Sequence, residues 1–471
     1  MNPLVLPQAK YEEIFQRITQ LSLEYLASIP ERPTFPEATG SEVQTWFARE
    51  LPEQGEGDAI LEQLAKVVAG CRPNSPRFFG YVFGSGEPVA AAADLLASVL
   101  NQNTTAWRSA PTAITLERLV IDWLATAIGC KGFSGSLTGG GSSANLMALT
   151  MAREAKLPAN ESGARAGTVY ASTEVHMSIP KAVALLGIGY ENLRLIKCDS
   201  DFRIRVDALR SAVATDIAAG MTPIAIVGSA GSVSTGSIDS LAELAQIARQ
   251  YQAWFHIDGA YGALAAIAQP EKFTGMNAAD SISLDPHKWL YQPVDCGCLL
   301  YRDPEAARRA FAHTGDYAKS LLEDPVESFA FFEESLELSR RFRALKLWLS
   351  LRYHGLANFR EAIRNDLDNA QYLAGLIAKQ PELEVLAPVP LSAVCFRFVG
   401  EGAPTDVDTL NQKILQRTVR RGKVFLSNAS IDGRFALRAC FVNHRTTQQD
   451  VDQIVDEVLA VGRELASGAQ A

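Results

Sequence analysis

Hydrophobic and polar positions change rhythm along this chain. In the first 70 residues, Tyr11, Ile14, Phe15, Ile18 and Tyr25 recur at three- and four-residue spacing, as do Ile60, Leu64, Val67 and Val68 before Gly70. This period predicts two helices, separated by the proline-rich ERPTFPE, each with one apolar stripe that needs a surface to lie on. From about residue 100 the pattern alternates. Short apolar runs (GTVYAST, LRLIKC, PIAIVGSAG, AWFHIDGA, SISLDPH, GCLLYRD) are separated by helical periods such as SIPKAVALLG, VDALRSAVATDIAAG and SLAELAQIARQY. Nearly all-apolar strands alternating with helices predict a mostly parallel sheet covered on both faces, with its ligand site beyond the carboxyl ends of the strands. Residues 303–335 read as one long connection, a lid or irregular segment. The last hundred or so residues give two strands, AVCFRFVG and FALRACFVNH, and a helix from Gln448 to about Leu465, an α+β ending.

Composition narrows the class. A chain of 471 residues is long for one core. Hydrophobic content of 47% and charged content of 21% fit a soluble globular protein, and a net charge of −9 argues against non-specific nucleic-acid binding. The start of the chain lacks the basic and apolar run of a signal peptide, and the alanine-rich stretch from Val89 to Leu100 is too short to span a bilayer. Seven scattered cysteines, an odd number, read as reduced thiols in a cytoplasm. Cys296 and Cys298 form the only close pair and read as strand residues, so no metal is expected.

Candidate chemistry lies at the strand ends. Lys288, in DPHKW, can be a solvated charge, an ion-pair partner or a Schiff-base former. Asp258, in FHIDGAYG, ends an apolar strand thirty residues earlier. It can be a structural ion pair, or the acceptor for the protonated ring nitrogen of pyridoxal phosphate. The glycines of GSLTGGGSSANLMAL, followed by Ser142 and Ser143 at a helix start, make a possible anion site. They match neither a Walker loop nor a dinucleotide fingerprint. His176 follows the strand TVYAST and is either a loop residue or an aromatic plate against a cofactor ring.

Taken in order, the glycine–serine turn, His176, Asp258 and Lys288 resemble the group II pyridoxal-phosphate-dependent amino acid decarboxylases, which act on aromatic amino acids, histidine or diaminobutyrate. HIDGAYG, DPHKW and RRFRALKLW are the most specific motifs, and PRFFGYVFG, TAWRSAPTAITLERLVIDWLA and LRACFVNHRTT also fit. The resemblance implies an α/β fold of type I, similar to aspartate aminotransferase, with a mostly parallel seven-stranded large-domain sheet and a small α+β C-terminal domain. Residues 1–85 would be a helical segment packed on a dimer partner, 86–340 the large domain with a mobile loop at about 303–335, and 341–471 the small domain.

The same resemblance implies roles. Lys288 would carry pyridoxal 5'-phosphate as the internal aldimine, Asp258 would pair with the pyridinium nitrogen, and His176 would stack over the ring. Gly141, Ser142 and Ser143 would hold the phosphate with His287 beside it. Ser229 would lie near the ring oxygen, and Ala260 would complete the cofactor set. Asp285 stands where some members have asparagine; beside phosphate a carboxylate is unfavourable, so it is expected to fix the loop backbone. Tyr317, in the long connection, would protonate the substrate carbon.

The implied reaction is decarboxylation of an L-amino acid to its amine through an external aldimine and a quinonoid, in a homodimer with shared active sites. An aromatic substrate is the first expectation, because Tyr81, Phe83 and Trp107 fall in pocket-lining segments, though they can equally be core aromatics. Phe83-Gly84 replaces a Pro-Thr pair of aromatic-acid members, and Ser339 stands where those tend to have glycine. Histidine, diaminobutyrate or an acidic amino acid therefore stays open, as does an aldehyde synthase on the same scaffold. A cofactor-binding protein without turnover would have lost Lys288, Asp258 or His176, and all are present.

Overall fold

The computed structural model describes residues 2–47, 50–313, 324–400 and 406–468. Its larger sheet has seven strands: β1 (Ser134–Thr138), β2 (Gly167–Ser172), β3 (Leu193–Ile196), β4 (Thr222–Ser229), β5 (Trp254–Asp258), β6 (Ser281–Leu284) and β7 (Gly297–Tyr301), in the order β1-β7-β6-β5-β4-β2-β3. The strands from β3 through β6 run parallel, and only β7 runs against its neighbours. β2, β5, β6 and β7 are buried at every position, which is why they read as continuous apolar runs. Alternate residues serve opposite faces. Ala225 and Val227 of β4 pack with Ala144, Met147 and Met151 of the helix Gly141–Lys156, whereas Ile226 packs in the core that holds Val120, Ile121 and Leu124 of the helix Pro111–Ala127.

The smaller C-terminal domain carries a four-stranded antiparallel sheet, β8 (Leu383–Val385), β9 (Ala393–Phe398), β10 (Ser427–Ile431) and β11 (Arg434–Cys440), ordered β10-β11-β9-β8. The helix Gln448–Gly468 closes its core. The helix Leu356–Ile377 joins the two cores, with Phe359, Ile363 and Leu367 in one and Ala370, Leu373 and Ile377 in the other.

Several expectations change. β1, β8 and β10 were absent from the apolar runs. β1 is Ser-Gly-Ser-Leu-Thr, poor in strand-forming residues, and is held by its ladder to β7. β10 is a polar edge strand and β8 has three residues. The expected helix around Ile60 breaks at Gln63 into Ala59–Glu62 and Leu64–Gly70. The connection 303–335 is shorter than it read. It opens with the helix Pro304–Phe311, capped by the Asp303 carboxylate on the Glu305 N–H at 3.0 Å, with Ala306, Ala307 and Ala310 buried. Its far end is anchored by Arg340, buried against Glu117, whose guanidinium also donates to the carbonyls of Leu137 (2.9 Å) and Thr104 (2.8 Å).

Where the two cores meet, the buried Asp366 carboxylate accepts from the Tyr291 hydroxyl at 2.8 Å and the Asn443 N–H at 3.4 Å. Burial pushes this carboxyl up from 3.8 to about 7, against the lowering effect of those two donors. The folded chain therefore holds the proton more tightly than the unfolded chain across that window. The stability this gives is present below the unfolded value and is lost as pH rises through 7. Asp366→Asn keeps an acceptor and cannot ionise. Its thermal midpoint, relative to wild type, is expected to be higher at pH 8 than at pH 5; a gap that shrinks with pH would contradict the assignment.

Candidate active site

The carboxyl ends of β4, β5 and β6 lie side by side, with Ser229 opposite Asp258 and Asp258 opposite Ser283. β1 delivers its chain to the same edge, where Gly139 and Gly140 turn into the helix Gly141–Lys156. Gly140 has φ +148°, and a Cβ on Gly141 would sit 2.6 Å from Ala260 Cβ, so only glycine lets the helix start this close to the turn after β5. The first N–H groups of a helix have no acceptor within it, and its dipole favours an anion there. β2 leads to His176 and then the helix Ser178–Leu185, and β6 leads into the short helix Pro286–Trp289 that carries His287 and Lys288.

These residues line one cavity of about 320 Å³: Gly141, Ser142, Ser143, His176, Ser229, Asp258, Ala260, Asp285, His287 and Lys288, with Phe83 at the wall. Asp258 is 8% exposed. Its Oδ1 accepts from Ser283 Oγ (3.1 Å) and the Ala260 N–H (3.3 Å), and its Oδ2 from Asn145 Nδ2 (3.0 Å). Among the described residues it has no ion-pair partner, so a cationic ligand in the cavity would complement it. Lys288 Nζ lies 3.0 Å from Asp285 Oδ2, and His287 Nε2 lies 3.6 Å from the same oxygen. Asp285 Oδ1 is buried without a partner. Burial holds the His176 and His287 imidazoles below their ordinary value, more than the nearby carboxylates raise them, which favours neutral rings at pH 7.

A buried carboxylate lacking a cation, a lysine amine, an anion-seeking helix start and an imidazole in one cavity fit pyridoxal phosphate. The donor set matches its ring nitrogen, aldehyde and phosphate in turn. A family model described as the pyridoxal-dependent decarboxylase conserved domain matches residues 42–399. This chain belongs to the pyridoxal-dependent decarboxylase family. It is similar to the aromatic-L-amino-acid decarboxylase of Bacillus atrophaeus, with 32% identity over 98% of each chain. It is 29% identical to a 4-hydroxyphenylacetaldehyde synthase of Rhodiola rosea, over 96% of this chain and 94% of that protein. Its fold matches the Oryza sativa TDC structure with PLP and tryptamine at a TM-score of 0.92, with 28% identity, covering 99% of this chain and 100% of that one. The pyridoxal-dependent decarboxylase described here is thus a type I fold enzyme that uses pyridoxal phosphate to decarboxylate an amino acid.

Other expected site residues lie elsewhere. Tyr81 is 60% exposed and packs near Phe78 and Phe425. Trp107 is half-buried beside the Phe329 backbone, and Ser339 is exposed. None of the three lines the cavity of this chain. Gly84 packs under the lysine turn, where a Cβ would come 2.2 Å from the His287 carbonyl and 2.7 Å from that of Lys288. Its size therefore serves the turn. Tyr317 lies outside the described residues. Asn145, Ser178, His256 and Ser283 were missed, although a lone amide on the apolar face of SSANLMAL and a histidine inside an apolar strand were both visible signals.

Replacing Asp258 with asparagine removes a buried charge while keeping its size. Asp258→Asn is expected to weaken pyridoxal phosphate binding by about tenfold to a hundredfold, the worth of one charge-assisted hydrogen bond. Titration of the bound cofactor's visible absorbance reads this. Unchanged affinity would remove Asp258 from the ring-nitrogen role.

Proposed function

We propose that this enzyme decarboxylates an aromatic L-amino acid to the corresponding amine. The observation that carries the reading is the 32% identity, across 98% of both chains, to a protein named aromatic-L-amino-acid decarboxylase. Phe83 at the cavity wall offers an apolar surface suited to such a side chain. Pyridoxal phosphate supplies the ring that accepts the electron pair released when the Cα–carboxylate bond breaks.

The chain's own residues do the rest. Lys288 Nζ, in the same cavity, is the amine that would hold the cofactor's aldehyde. Asp258 keeps a proton on the ring nitrogen, which maintains the ring's electron demand. His176, neutral and half-buried in the same cavity, would lie against the ring and orient the substrate. The N–H groups at Gly141, Ser142 and Ser143 hold the phosphate, with His287 beside it, while Ser229 and Ala260 border the ring. Asp285, at 3.0 Å from Lys288 Nζ, holds the lysine side chain in position. Tyr317 delivers a proton to Cα after carbon dioxide leaves.

The active unit in this reading is a homodimer with shared sites, its N-terminal helices packed on the partner. Tyr11, Phe15 and Ile18 on the helix Gln8–Ser28, and Leu95, Leu96, Val99 and Leu100 on the helix Pro88–Leu100, are large exposed apolar side chains that a second subunit would cover. The positions of Tyr81, Trp107 and Ser339 outside their own chain's cavity accord with a contribution across that interface. Free thiols at all seven cysteines accord with a cytoplasmic setting.

Carbon dioxide release measured over tryptophan, tyrosine, phenylalanine, histidine and glutamate tests the substrate class. Release with an aromatic acid, matched one-to-one by amine, is expected. Preference for histidine or glutamate would overturn the aromatic reading, and aldehyde in place of amine would favour the synthase chemistry. Tyr317→Phe is expected to lower amine formation by about a hundredfold or more; an unchanged rate would remove Tyr317 as proton donor.

A further inference from the structure

Behind Asp258 runs a chain of buried polar groups that the reaction described above does not use. Asn145, 1% exposed in the second turn of the helix Gly141–Lys156, gives its amide Nδ2 to Asp258 Oδ2 at 3.0 Å and to Ser178 Oγ at 2.8 Å. Its Oδ1 lies 2.9 Å from Nε2 of His256, which is 0% exposed. Nδ1 of His256 lies 2.9 Å from Ser281 Oγ, and that oxygen accepts from Trp254 Nε1 at 2.8 Å. Ser178 Oγ lies 2.8 Å from His176 Nδ1.

His256 Nδ1 could accept the Ser281 hydroxyl hydrogen or donate to the Ser281 carbonyl at 3.2 Å, and the Asn145 amide beside Asp258 selects the first. Trp254 can only donate, so the Ser281 hydroxyl hydrogen is free for His256 Nδ1. His256 then carries its proton on Nε2 and donates to Asn145 Oδ1. Burial pushes this imidazole down to about 4, so it is neutral at pH 7. With its oxygen committed to His256, Asn145 turns both amide hydrogens outward, one to Asp258 and one to Ser178. The Ser178 hydroxyl hydrogen passes to His176 Nδ1, which also accepts the Ser178 N–H at 3.2 Å, so His176 presents Nε2–H to the cavity. A flipped Asn145 amide would set its carbonyl oxygen against the Asp258 carboxylate, two acceptors with no hydrogen between them.

We propose that Asn145, oriented by His256, is a positioning residue that holds Asp258 as an unprotonated acceptor for the ring nitrogen and ties it to His176 through Ser178. This rests on the roles proposed above for Asp258 and His176. Losing a donor makes a carboxylate a stronger base. Without Asn145, Asp258 draws the proton from the ring nitrogen and the ring's electron demand falls.

The test uses the full-length enzyme loaded with pyridoxal phosphate carrying ¹⁵N in its ring, and with ¹⁵N-labelled histidine, of which the chain has six. In wild type the ring nitrogen is expected in its protonated range and His256 as the Nε2–H tautomer. In Asn145→Leu the ring resonance moves toward the unprotonated range. His256 turns to Nδ1–H, for which the Ser281 carbonyl at 3.2 Å is a ready acceptor. Turnover falls by about tenfold or more, the cost of one hydrogen bond to a charged group. His256→Gln, whose amide can replace the Nε2–H, holds the ring resonance nearer wild type than His256→Leu does. An unshifted ring resonance in Asn145→Leu, alongside a shifted one in Asp258→Asn, overturns the positioning role alone. If Asp258→Asn does not shift it either, the ring-nitrogen role of Asp258 falls with it. Should Asn145→Leu not fold, a wild-type His256 found as Nδ1–H, or equal ring resonances in the two His256 variants, overturns the proposal.

Discussion

A single carboxylate, that of Asp258, buried at the end of a parallel strand without a cation of its own, organises this molecule's active centre. A charge withdrawn from water is costly unless it is hydrogen-bonded and paired. The fold supplies the hydrogen bonds, from Ser283, Ala260 and Asn145, and the protonated ring of a bound cofactor would supply the pair. A cofactor that brings a cation to Asp258 would therefore stabilise the site as it binds.

The sheet makes that arrangement possible. Parallel strands bring Ser229, Asp258 and Ser283 into register at one edge, and the crossover helices bring the glycine turn and His176 to the same edge. Close approach is then a matter of absent side chains. Gly141 lets a helix start against Ala260, and Gly84 lets the N-terminal segment pass under the carbonyls of His287 and Lys288. The second contact ties residues far from the lysine in sequence to the turn that aims it.

Much of this was legible beforehand. The apolar strands announced a buried parallel sheet, and the family resemblance carried by the glycine–serine turn, His176, Asp258 and Lys288 put those four in one cavity. What escaped had physical reasons. β1 is built of serine and glycine and is a strand only because β7 pairs with it. The helix Pro304–Phe311 carried an Asp-Pro cap signal, but at eight residues it is too short to stand out inside a long mixed connection. Asn145 and His256 sit inside apolar patterns where one polar residue reads as an exception, and only their mutual distance turns the exceptions into a pair. Tyr81 was expected in the pocket from its segment and Ser339 from its position before Arg340, yet both are exposed in one chain, so neither place in the sequence fixes which cavity a side chain faces.

Lys288 and Asp258, following neighbouring strands, would grip one cofactor between them. Reduction of the loaded enzyme with borohydride, followed by peptide mass mapping, tests it most directly. A single stable pyridoxyl adduct is expected on Lys288, in the SLDPHKW peptide. An adduct on any other lysine, or none in an enzyme that still decarboxylates, would contradict it.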